Sequence, residues 1–211
     1  IVLILISMFI WLNSSTTQTL GINYKVTRYE IPIYLKLYNF YGRHLNYKKI
    51  VSRITKNSKS DEDKIIDLSS WVNSNIQKIP KGVEVVDSHP ITIHQRRLGT
   101  QDQFSDLLSI LIVYSGIESF LWKDVDANST LTFFNIDGEW SIIDPYYGII
   151  FLNKNSEIAT IKELKTKDWD IYTFKMQLVD SNNFIDIFNS KFDNIEQIRK
   201  YYIRKCIMLA L

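Results

Sequence analysis

The sequence holds a single cysteine, Cys206, so no disulfide can close within the chain and a cysteine-rich zinc site is excluded. That scarcity says little about compartment, since exported proteins without disulfides are common. A strong charge of either sign is missing as well. The formal net charge of +2 is too small to suggest a nucleic-acid partner. No internal repeat, low-complexity tract, glycine-rich phosphate loop or His-Glu-x-x-His pattern occurs. The reading therefore calls for no cofactor and no metal.

What is present suits a packed domain with additions at both ends. A length of 211 residues exceeds one ordinary domain of about 100–150, and a hydrophobic fraction of 45% supplies a core. Residues 1–12 are apolar throughout except Ser7. A spanning helix needs about 20 such residues, so residues 1–20 read as a membrane anchor cut short, followed by a polar linker. A signal-peptide core and a buried helix are the other readings, and the lack of a clear A-x-A site favours the anchor. Residues 21–44 form an aromatic-rich approach segment, with Tyr24, Tyr29, Tyr34, Tyr38, Phe40 and Tyr41, expected to lie on the domain. Residues 191–211 read as an amphipathic helix carrying Ile195, Ile198, Tyr202 and Ile203, or as the start of a second span. For a span, Arg199, Lys200, Arg204 and Lys205 would mark the cytoplasmic side.

Between these ends, residues 45–190 read as one α+β domain. Ile50, Val51 and Ile54 share a helical face. Ser60 followed by Asp61, Glu62 and Asp63 marks a helix start. The stripe of Ile65, Ile66, Leu68, Trp71, Val72 and Ile76 then makes a core helix, ended by Pro80 and Gly82. Phe104, Leu107, Leu108, Leu111, Ile112 and Ser115 fall on one face of a second helix; Ile110 and Val113 widen that face, so this helix is central. Gly116 stops it. A strand follows at 117–122, then a hairpin of 130–136 and 139–144 around the turn Asp137-Gly138. Another strand is expected at 149–152 and a short helix behind Thr160.

The motifs Gly99-Thr100-Gln101, Gly116-Ile117, Trp140 and Asp144-Pro145, in that order and spacing, resemble the transglutaminase-like superfamily, which has a papain-like fold. The resemblance covers about residues 45–164 and implies N-terminal helices with a central buried helix packed on an antiparallel sheet. It also implies a thiol at the start of that helix, an imidazole on the following strand pair and a carboxylate at its end. The chemistry behind this is general. A helix N-terminus lowers a thiol's pKa, an imidazole takes its proton, and a carboxylate orients the imidazole. Here Gln101 stands at the thiol position and Ser129 at the imidazole position, and only Asp144 is retained.

Hairpin geometry locates Ser129 independently. With a two-residue loop, Ile136 pairs with Glu139 and Leu131 with Asp144, which makes Ser129 a diagonal neighbour of Asp144. His44, His89 and His94 all precede the motif, the reverse of the family's order, and read as structural, as does Cys206. The reading is a catalytically inactive, membrane-tethered, extracytoplasmic domain that binds or scaffolds. Gln101, Asp102, Ser129, Leu131, Trp140 and Asp144 are its groove candidates, and a peptide or polysaccharide is the expected ligand. The alternatives are an active hydrolase or transferase using carboxylates in the same groove, and a structural domain of a larger membrane protein.

Overall fold

The apolar period of residues 104–113 governs the centre of the fold. In a computed structural model, which describes residues 1–22, 25–80, 82–83, 89–124, 129–166, 169–174, 184–185, 187–188 and 192, this segment is the buried helix α5. Helix α5 spans Gln101–Tyr114, and every residue from Gln103 to Val113 except Asp106 is buried. It lies on a five-stranded antiparallel sheet, β5 (Glu118–Asp124), β6 (Ser129–Ile136), β7 (Glu139–Asp144), β8 (Ile149–Asn153) and β9 (Trp169–Thr173), in that spatial order. Helices α2 (Ile33–Ile54) and α3 (Asp61–Asn75) pack against α5 from the other side. The protein is therefore α+β, helices first and sheet second, as its sequence order implies.

Both faces of the sheet are covered. Phe134, Ile143 and Ile150 join the cluster built around α5, α3 and α2. Their strand neighbours Leu131, Phe133, Trp140, Ile142, Ile149 and Phe151 join a second cluster, closed by α6 (Ile161–Lys165) and by Phe184, Phe188 and Phe192. Burial on two sides explains why consecutive residues of β6, Thr130 to Phe134, are all buried rather than every second one. The expected hairpin turn is present: Asp137 and Gly138 take φ of 52° and 88°, and Ile136 pairs with Glu139. Ser60 caps α3 by accepting from the Asp63 N–H, while the Asp63 carboxylate answers the Ser60 N–H.

Several expectations change. Ile33–Ile54 is one continuous helix, so the expected boundary at residue 45 falls inside α2. The polar linker is a strand: β1 (Ser15–Ile22) pairs with β2 (Lys25–Pro32) in a hairpin between α1 (Val2–Asn13) and α2. Helix α3 ends at Asn75, not near Pro80, because Gln77–Lys78 (β3) bridges in parallel to Leu98–Gly99 (β4). A short helix, α4 (Pro90–Arg96), went unforeseen; it starts with proline behind a capping His89. Ile66 is 37% exposed and lies off the core face of α3. The buried-helix reading of the N-terminus does not hold, since no residue of α1 is buried. No helix among the described residues is long and apolar enough to cross a membrane. The expected helix at 191–211 lies outside the described residues, Phe192 apart.

Packing of this kind makes a sharp contrast testable. Leu107 is fully buried, and truncating such a leucine typically costs about 2–5 kcal/mol. Leu107→Ala should lose that much in urea unfolding, whereas Ile66→Ala should lose less than about 1 kcal/mol. Similar losses at the two positions would contradict the orientation of α3 and α5.

Candidate functional site

The N-terminus of α5 is where the sequence concentrates its candidate residues, and its backbone N–H groups need partners before any ligand is considered. The chain supplies part of these itself. Gln103 is buried, and its Oε1 accepts from the Thr100 N–H at 3.0 Å and from Arg96 Nη2 at 2.7 Å. The Asp102 carboxylate accepts from the Thr100 hydroxyl and, at 3.1 Å, from the Gln103 N–H. Arg96 is held in turn by donating from Nε to the Leu98 carbonyl at 2.7 Å. Gln101, the first helical residue, is half-buried beside this network. Gln103 is absent from the sequence analysis, although the Thr100-x-x-Gln103 spacing is a capping-box pattern that could have pointed to it.

The same end of α5 meets the hairpin. Ser105 Oγ donates to the Thr130 carbonyl at 3.1 Å, and Thr132 Oγ1 donates to the Ser105 carbonyl at 3.3 Å. Phe104 meets Tyr146 edge-on, with ring centroids 5.3 Å apart. Gly99 allows this approach, since a Cβ there would sit 3.1 Å from the Phe104 ring. The start of β6, the end of β7 and the first turn of α5 are thereby gathered together. Within β6, Thr132 turns its hydroxyl to α5, while Ser129 shares strand parity with Leu131 and Phe133, whose side chains belong to the second cluster. Leu131 and Trp140 are both buried in that cluster and do not line a groove.

Asp144 is the most unusual ionisable group here. It is 1% exposed, and its Oδ1 accepts from the Tyr146 and Tyr147 N–H groups at 3.0 and 3.1 Å. Burial raises its pKa to about 6, against the opposing pull of those two N–H donors and of the Lys78 charge. Lys78 lies over the rings of Tyr146 and Tyr147, 4.2 and 4.6 Å from their centroids. The turn is fixed from below by Asn73, which donates to the Pro145 carbonyl at 3.4 Å, and by Gly148 at φ +66°. A Cβ on Gly148 would fall 2.5 Å from Asn73 Nδ2. Lys78, Tyr146 and Tyr147 escaped the sequence reading because only the register of β3 and the turn bring them to Asp144.

The three histidines have other surroundings. His44 is buried with Nδ1 3.1 Å from the Tyr114 hydroxyl, and burial, then Lys48, lowers its pKa. His89 caps α4 by accepting from the Ile91 N–H at 3.2 Å. His94 packs on Trp71 at 5.3 Å, and its pKa is lowered first by burial, then by Arg97 and Arg53.

No protein-family model matches this chain, and no curated protein matches it. Among solved structures it is similar to a candidate cysteine protease from Cytophaga hutchinsonii, at 16% identity and a TM-score of 0.42, over 62% of this chain and 47% of that one. It is also similar to a candidate protease from Parabacteroides distasonis, at 14% identity and a TM-score of 0.37, over 63% of this chain and 36% of that one. The chain thus spans less than half the length of either. Both likenesses concern the fold alone, and the α+β assignment stands on the architecture itself.

The raised pKa of Asp144 has a definite sign in stability. With about 6 in the folded state and about 3.9 unfolded, the folded protein holds the extra proton. Its contribution is complete below about pH 4 and is lost as the pH rises through 6, a change on the order of 3 kcal/mol. Asp144→Asn keeps an oxygen for both N–H donors and should flatten urea-unfolding stability between pH 4 and 7. An unchanged slope would place the carboxyl in a wetter setting.

Proposed function

We propose that this chain is a catalytically inactive transglutaminase-like module that binds a peptide or polysaccharide segment where α5 meets the Ser129–Asp144 end of the hairpin. The observation that carries the reading is Gln101 at the first position of α5. A helix N-terminus activates a nucleophile only if that nucleophile can ionise, and an amide cannot. Ser129 supplies no base at the imidazole position, and Asp144 commits its Oδ1 to two N–H groups of its own turn. What remains suits recognition: half-buried Gln101 and Asp102, and an aromatic pair, Tyr146 and Tyr147, under Lys78. The module is tethered to a membrane through α1, with the domain on the extracytoplasmic side. Support for the tether comes from the exposed apolar side chains of α1, from Ile1 at 96% to Ile6 at 51%.

One observation favours a second reading. A carboxyl near pKa 6 is poised for general acid work, so Asp144 could serve a hydrolase or transferase built on carboxylates. The two readings separate on turnover. The inactive module should neither incorporate amines into glutamine substrates nor cleave peptides. Turnover that survives alkylation of Cys206 and is lost in Asp144→Asn would establish the enzyme instead.

The family positions can be examined without turnover. In a Cys206→Ser background, the thiol of Gln101→Cys, at the first position of a helix, should titrate somewhat below the unperturbed value of about 8.5 by pH-dependent iodoacetamide labelling. Strand parity turns Ser129 toward the second cluster, so adding Ser129→His should leave that value unchanged, and a drop of one or more units would place the two side chains face to face. Identical labelling profiles in two folded variants would show that positions 101 and 129 do not face each other.

A further inference from the structure

The first 60 residues are charged unlike the rest. They contain nine of the 25 Lys and Arg but one of the 23 acids, Glu30, so they carry a formal +8 against −6 for the remainder. Helix α2 holds five of those cations, Lys36, Arg43, Lys48, Lys49 and Arg53, and no acid at all.

This basic helix also shows water an apolar stripe. Tyr34, Leu37, Tyr38, Tyr41 and Leu45 are 49%, 50%, 75%, 62% and 49% exposed. Their spacing of three, four, seven and eleven residues from Tyr34 sets them on one line of the helix. That line is about a third of a turn round from the buried His44, Tyr47, Ile50 and Val51. Lys48 and Lys49 flank it one turn beyond Leu45. The stripe also adjoins the exposed apolar surface of α1. The Ile33 N–H at the start of α2 donates to the Ser14 carbonyl at the end of α1, at 3.1 Å, and the two helices touch.

Tyrosine rings that are apolar along their bodies and polar at their tips settle at the headgroup level of a bilayer, and cations beside them add attraction to anionic lipid. We propose that α2 lies with its tyrosine stripe in the headgroup layer of an anionic membrane, beside α1, with Lys48 and Lys49 meeting lipid phosphates. The inference rests on the tether through α1, but it concerns a different surface. It makes the bilayer a platform that sets the orientation of the domain, because a long helix lying flat leaves less rotational freedom than a single anchor point.

The test uses the full chain with Cys206→Ser and the probe NBD attached at Tyr38→Cys or, as a control, at Asn155→Cys in the exposed turn after β8. Vesicles are phosphatidylcholine with or without about a third phosphatidylglycerol. Expected is a blue shift of the position-38 probe on anionic vesicles and none at position 155. Lys48→Gln with Lys49→Gln should cut the anionic-over-neutral partition ratio by a factor on the order of 20. Flotation with a position-38 probe still in water would overturn the inference and leave the tether standing. Failure to float on either vesicle would remove both. A concentration-dependent blue shift without vesicles would make a second copy the occupant, and an equal shift on both lipids, unmoved by the lysine substitutions, would overturn the anionic preference.

Discussion

A helix of 14 residues with ten of them buried can persist only if most of the polar groups it carries inside find partners. In α5 that condition is met chiefly through serine and threonine. Ser105 gives its hydroxyl to the Thr130 carbonyl and receives the Thr132 hydroxyl on its own carbonyl. These reciprocal bonds fix the height of the helix over β6, and small side chains at 105 and 109 let the backbones come close. Once that height is set, Phe104 must meet Tyr146, and the turn after β7 must sit beneath the helix start. The sheet's second face follows, because strands held by α5 on one side present Leu131, Phe133 and Ile142 on the other.

The candidate site inherits its character from this constraint. At the helix start the Gln103 N–H is taken by Asp102 and the Thr100 N–H by Gln103, so part of its positive end is already answered from within the chain. Asp144 sits in the opposite condition, buried deeply enough to favour its neutral form yet held by two N–H donors that prefer the anion. Asp102 and Asp144 thus differ in purpose. Asp102 finishes a helix, and Asp144 finishes a strand.

The elements legible in the sequence are those whose signal is local. The period of α5, the Ser60 cap and the Asp137-Gly138 turn each depend on neighbours within a few residues, and all three stand in the structure. The hairpin register also followed from its loop length, and the ladder from Ile136–Glu139 to Thr132–Ile143 agrees with it. Elements whose partners come from afar leave no such local mark. Residues 15–32 have a mixed pattern that becomes a hairpin only through pairing, and α3 stops early because a distant strand claims Gln77. For Leu131 and Trp140, strand alternation gives a face but not what covers it, and here Phe188, Phe192 and α6 take that side. Lys78 had no local feature tying it to Asp144.

The bond from the Ile33 N–H to the Ser14 carbonyl has a mechanical corollary. It closes the excursion of β1 and β2 at its base, so the chain leaves α1 and enters α2 at nearly one point. Lys36 pins the loop from the α2 side by donating to the Thr17 carbonyl at 2.8 Å. The hairpin is therefore decoupled from the spacing of the helices it separates. Adding or removing residues in cross-strand pairs at its tip would change how far it projects while leaving the α1–α2 junction where it is. Projection and junction are independent variables in this protein, and its N-terminal third can vary in reach without disturbing the core that α5 organises.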